Sequence, residues 1–172
     1  MAEPSLPLLT FYKGWAGYQR NLVNMLKSLT PEQLALPVAP NHWTVGMVAQ
    51  HIVANRVWWF QVWMGEGNAE LAPIAHWDPA DDTEVAPRNA AQLVAGLETT
   101  WQMVNDALAR WTPADLDQMI AQPSALREEE RHMHPARNRQ WIIWHVLEHE
   151  IHHGGELSLV LGSHGLTTIY NF

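Results

Sequence analysis

Four long segments of the chain carry apolar residues at the three-and-four spacing of an amphipathic helix, and proline-containing connections separate them. The pattern predicts helices over residues 7–29, from Thr44 to near Gly65, over 89–111 and from Asn138 to near Gly162. The connection 66–88 is predicted to be long and irregular, and the polar connection 117–137 to be a loop with a short strand or turn. The sequence therefore predicts an all-α protein with long connections between its helices.

Composition narrows the classes of protein that fit this pattern. A length of 172 residues with 47% hydrophobic residues favours one domain over residues 1–172 with a packed core. The net charge of −8 argues against partners such as nucleic acid or an anionic membrane. The N-terminal residues show no basic region followed by an apolar stretch, and no apolar run is long enough to span a membrane, so a cytoplasmic protein is expected.

The chain contains no cysteine. Disulfides, thiolate metal ligands and a cysteine nucleophile of the protein's own are therefore excluded. Any thiol that takes part in its chemistry must come from outside the chain.

The ten histidines are unevenly distributed, and four of them lie in the last predicted helix. His145, His149 and His153 are spaced four apart, which places them in one row on a helix face. His51 lies in the middle of the second long helix, on or beside the face predicted to be buried. Because two imidazoles four residues apart can chelate one metal ion, this row predicts a metal site.

The segment His149-Glu150-Ile151-His152-His153 also matches the HEXXH pattern of zinc proteases. Those enzymes need a further ligand and a substrate-binding edge strand, and neither has a visible counterpart in this helical pattern. The match therefore favours a metal site on a helix over protease chemistry.

Three segments carry a resemblance to a known family: WHVLEHEIHHGGELSLVLGSHGL, MVAQHIVANRVWWF and FYKGWAGYQRNLVNMLKSLTPEQL. Together they resemble the DinB/YfiT-like superfamily of metalloenzymes over nearly the whole chain, with residues 117–137 contributing least. The resemblance implies a four-helix bundle that holds a divalent metal with one histidine of the second helix and two of the last. Matched residue by residue, the implied ligands are His51, His149 and His153.

The implied site differs from the family pattern in one neighbour, since Glu156 stands where the family often has glutamine. Three imidazoles leave coordination positions open, which is typical of a catalytic rather than a structural site. Imidazole ligands suit zinc, nickel, iron or copper, and manganese is a further candidate. We expect zinc or nickel.

The resemblance implies a metal-dependent enzyme that acts on a small molecule, and some relatives resemble transferases that add a low-molecular-weight thiol to an electrophile. The thiol would be an external cofactor such as bacillithiol, mycothiol or glutathione. A competing hypothesis is a hydrolase that uses metal-bound water, with Glu148, Glu150 or Glu156 as the general base. A third is a stress-response binding protein without enzymatic activity.

Two expectations concern the tryptophans, of which the chain has ten. We expect the tryptophans of the second and fourth helices either to line a substrate pocket or to fill the core, because the core of a helical bundle needs large side chains. Helices with so many tryptophans are also expected to expose an apolar strip, which favours a homodimer.

Overall fold

The computed structural model describes residues 5–80 and 85–170 and is mostly helical, as predicted. Its α-helices are α1 (Lys13–Leu26), α2 (Pro31–Leu34), α3 (Val45–Arg56), α4 (Ala90–Arg110) and α5 (Arg139–Ser163). A π-helical segment, Val57–Trp63, continues α3. Strand β1 (Met119–Ile120) pairs antiparallel with β2 (Arg137–Asn138), so the connection between α4 and α5 contains the short strand that was expected. In the described ranges, no helix combines the length and apolarity needed to cross a membrane.

The connection between α3 and α4 contains more regular structure than the sequence predicted. A 3-10 helix, Ala69–Trp77, occupies its first half, and Asn68 caps that helix by accepting a hydrogen bond from the Glu70 backbone N–H. Residues 81–84 of this connection lie outside the described residues.

Side-chain caps fix where several helices begin. Thr44 accepts a hydrogen bond from the Met47 backbone N–H and starts α3 at the predicted position. The prediction placed the start of the first helix too early. Leu8 lies in a separate 3-10 turn, and its N–H donates to the Trp111 carbonyl at 2.7 Å. That contact ties the chain to the end of α4, and α1 begins only at Lys13.

Helix α3 is central to the packing, because it contacts both α4 and α5, and α1 contacts the same two helices. Helices α3 and α5 run antiparallel, so that His51 meets His149 while Trp59 meets Trp141 further along. Two groups of buried apolar side chains result, one around Phe60 and the other around Ile52. The segment 149–154 of α5 lies between the two groups.

A buried ion pair joins α3 to α5 in this segment. Arg56 donates from Nε to Glu150 Oε1 at 2.6 Å and from Nη2 to Oε2 at 2.9 Å, and both residues are fully buried. Trp15 Nε1 also donates to Glu150 Oε2, at 2.8 Å. Both oxygens of this carboxylate therefore accept hydrogen bonds inside the core.

The glycine pair in α5 has two different environments. A Cβ at Gly154 would collide with the hydroxyl group of Tyr18, which donates to the Glu150 carbonyl at 3.0 Å. A Cβ at Gly155 would meet open space. Gly154 thus permits the close approach of α1, and Gly155 has no such role.

Candidate metal centre

Three histidines from two helices converge between α3 and α5. His51 Nε2 lies 2.8 Å from His149 Nε2. The ring centroids of His51 and His153 are 5.0 Å apart, and those of His149 and His153 are 4.4 Å apart. One nitrogen from each ring falls within 4.8 Å of the other two. The structure therefore brings two members of the row on α5, His149 and His153, together with His51 of α3.

The connection after α3 supplies a partner for His51. Its Nδ1 lies 2.8 Å and 2.9 Å from the two carboxylate oxygens of Asp78, and both side chains are only 13–14% exposed. Asp78 Oδ1 also accepts from the Ala80 backbone N–H at 2.9 Å, which holds the carboxylate in place. When the His51 Nδ1–H donates to Asp78, the lone pair of its Nε2 is directed at the cluster.

Sequence reasoning missed Asp78 as a functional residue. It lies 27 residues from His51 in a connection read as irregular, so no helical spacing links the two. The only available signal was an aspartate just before a proline, which is common in turns.

Glu156 plays the corresponding part for His153. The Nδ1 of His153 lies 2.7 Å from Glu156 Oε2, one helical turn away on α5. The other carboxylate oxygen lies 3.5 Å from His152 Nε2, whose side chain is 62% exposed. Glu156 thus orients His153, and His152 faces solvent.

Burial sets the charge state of the cluster. It lowers the pKa of His149 to about 2, with the neighbouring His51 and His153 adding to the effect. It also lowers the pKa of His153, which the nearby Glu156 partly opposes. Both rings are therefore neutral near pH 7, which is the form that binds metal.

The hydrogen-bonding pattern of the three rings fits a cation. His51 and His153 each direct Nδ1 at a carboxylate, an arrangement that recurs around metal-bound histidines. His149 Nδ1 is buried without a hydrogen-bond partner in the described part of the chain. With His51 Nδ1 protonated, a proton or a cation must lie between the facing Nε2 atoms of His51 and His149. A donor set of three neutral imidazoles suits a divalent transition metal.

Other predicted residues lie outside the cluster. His145 stacks on Trp141, with ring centroids 4.7 Å apart, and does not belong to the group of converging ligands. Trp59 and Trp63 are buried in the core, whereas Trp144 is 58% exposed, so these rings do not jointly line a pocket.

The structure corrects the prediction for Glu150 as a candidate general base. Its carboxylate is fully buried and occupied by Arg56 and Trp15. Neighbouring residues on a helix point about 100° apart, so Glu150 turns into the core while His149 faces the cluster. The HEXXH match therefore holds for its two histidines, His149 and His153, which lie in the cluster, and fails for its glutamate.

A cavity of about 340 Å³ opens beside the cluster. His153 and Glu156 form one wall, and Val38, Trp43 and Val48 contribute apolar surface. The Trp43 ring meets His51 edge-on, with centroids 5.0 Å apart. The cavity gives a small molecule room to reach His153.

Comparisons with known proteins show the family in which this architecture occurs. The family model that describes the DinB superfamily matches residues 16–157, a range that includes all three histidines. The chain belongs to the DinB superfamily. A crystal structure of a DinB-like protein from Bacillus cereus matches with a TM-score of 0.68 and 22% sequence identity, over 98% of this chain and 99% of that one. This likeness shows that the two DinB-type proteins share a fold. No curated protein matches the chain.

Proposed function

We propose that this protein binds one divalent metal ion, zinc or nickel, with His51, His149 and His153 and adds a low-molecular-weight thiol to an electrophilic small molecule. The observation that carries the metal site is the convergence of three imidazole nitrogens within 4.8 Å. Membership of the DinB superfamily supports the same assignment.

Each residue of the site has a defined task in this proposal. Asp78 and Glu156 hold the rings of His51 and His153 with Nδ1 turned outward. Burial keeps His149 neutral, so its nitrogen remains a ligand at neutral pH. The chemistry that a bound divalent ion supplies is stabilisation of a thiolate, which lowers the pKa of the thiol.

The thiol and the electrophile must both come from solution. The chain has no cysteine, so the nucleophile is an external cofactor such as bacillithiol, mycothiol or glutathione. The apolar side chains of Val38, Trp43 and Val48 offer a surface for the electrophile beside His153.

Thiol transfer is tested by incubating the metal-loaded protein with a thiol and a model electrophile and measuring the product by mass spectrometry. The expected product contains both molecules, and it should disappear in His149→Ala but persist in His164→Ala. Absence of this product with all three named thiols, each paired with several classes of electrophile, would contradict the transferase proposal. A protein that then also shows no hydrolytic product would be better described as a binding protein.

Hydrolysis is the second candidate function, and the position of Glu156 favours it. Of the three carboxylates considered as general base, Glu150 is buried in an ion pair, and Glu148 lies beside His145, outside the cavity. Glu156 lines the cavity and lies one turn from His153. If hydrolysis is the activity, Glu156→Gln should lower kcat even when the variant is saturated with metal, and the product should carry the elements of water instead of a thiol.

We also propose that the four long helices form one four-helix bundle and that two copies associate through α5. Trp144, Ile151 and Leu159 lie on one side of this helix and are 58%, 50% and 77% exposed. Apolar surface of this kind is typical of helix interfaces. Analytical ultracentrifugation should give a dimer that Trp144→Glu converts to a monomer, and a monomeric parent protein would contradict the proposal.

A further inference from the structure

A second and larger cavity lies beside the first half of α3. It has a volume of about 610 Å³ and is enclosed by α2, the first half of α3 and the residues that lead into α4. Its described walls are largely apolar and include Leu29, Leu34, Met47, Pro79 and Val85. None of the three converging histidines lines it. A volume of this size is in the range of small-molecule sites.

Arg88 places a cation at the wall of this cavity. Its guanidinium lies over the Trp77 ring, 4.9 Å from the ring centroid. Among the residues that the structure describes, its side chain has no hydrogen bond or ion pair, and its Nε is buried without a partner. The guanidinium of Arg56, which is fully buried, differs because it pairs with Glu150. Arg88 is thus held in position without a matching anion.

The walls of the cavity are fixed by Gln50. Its Nε2 donates to the carbonyls of Trp77 and Ala86, both at 3.3 Å. Its Oε1 accepts from the Arg88 backbone N–H at 3.2 Å. One buried carboxamide therefore holds the connection against α3 at three backbone positions, of which Arg88 lines the cavity.

We propose that this cavity binds a small carboxylic acid with an apolar tail, whose carboxylate pairs with the guanidinium of Arg88. The apolar walls suit the tail, and no acidic side chain of the described lining competes for the arginine. A guanidinium matches a carboxylate in geometry as well as in charge. The cation therefore selects an acid over a neutral or cationic molecule of the same shape.

Isothermal titration calorimetry with octanoate and octylammonium tests this selection, since the two probes share a tail and differ in charge. Octanoate should bind at least about tenfold more tightly than octylammonium, as expected for a hydrogen-bonded charge pair. Arg88→Gln should weaken octanoate binding by a similar factor, and Ala90→Leu should weaken it by filling the cavity. The control Arg20→Gln removes a surface arginine outside the cavity and should leave octanoate binding unchanged.

A carboxylate is also a metal ligand, so the experiment is repeated with His149→Ala and in the presence of a chelator. Octanoate binding should persist in both, whatever becomes of the metal site and the thiol chemistry. Loss of binding in His149→Ala would show that octanoate binds at the histidines and would overturn the proposal. Absence of octanoate binding, equal affinity for both probes, or full affinity in a folded Arg88→Gln variant would overturn it as well.

Discussion

Replacing Glu150 by glutamine should destabilise the protein strongly without removing its metal site. The carboxylate accepts from Arg56 at 2.6 Å and 2.9 Å and from Trp15 at 2.8 Å, in a region with no solvent access. Glutamine keeps the shape but leaves the Arg56 charge buried without its counter-ion. Breaking a buried pair in this way costs about 3–5 kcal/mol of the free energy of unfolding. For a chain of this length, that loss lowers Tm by about 6–20 °C.

Urea and thermal unfolding followed by circular dichroism, in the presence of a chelator, measure this loss without a contribution from metal binding. Glu148→Gln is the matched control, because it makes the same change at a half-exposed position on the same helix, and it should alter stability by less than about 0.5 kcal/mol. Replacing both partners, as Arg56→Met with Glu150→Leu, should recover part of the loss. Unchanged stability in Glu150→Gln together with loss of metal would refute the reasoning and would indicate that Glu150 acts at the metal site.

Three further predictions concern the surroundings of the site. Asp78→Asn should weaken zinc binding about 10- to 100-fold, measured by competition with a chromophoric chelator, because His51 loses the carboxylate that orients it; unchanged affinity would contradict that role. Gly154→Ala should lower Tm because its Cβ collides with Tyr18, whereas Gly155→Ala should not; equal effects would contradict the packing described. The folded state lowers the pKa of His149 to about 2, so the unfolded chain binds more protons below about pH 6.5. Metal-free protein should therefore lose stability as pH falls below that value, by up to about 1.4 kcal/mol per pH unit for this histidine, and a folded His149→Gln variant should show a shallower loss.

The parts of the fold that depend on local periodicity were predictable from the sequence. Helices α3, α4 and α5 begin where the sequence predicts, because an N-cap side chain and an apolar row act within a few residues. The histidines four apart on α5 were predictable for the same reason. The beginning of α1 was not, since the contact between Leu8 and Trp111 joins residues far apart in the chain.

The parts of the site that depend on tertiary packing could not be predicted from the sequence. Asp78 reaches His51 from a connection whose path no periodicity describes. Glu150 was misjudged because a motif gives residue order, whereas the direction of a side chain depends on which face of α5 is buried. The cavity beside Arg88 likewise arises where a connection crosses α3, and only its residue types are visible in the sequence.

Metal content of the purified protein tests the central claim most directly. Elemental analysis of the folded, dialysed protein should give one divalent ion per chain, and His51→Ala, His149→Ala and His153→Ala should each lower that content strongly. The controls His76→Ala and His164→Ala remove histidines outside the cluster and should keep the full content. Full metal content in all three cluster variants would contradict the account.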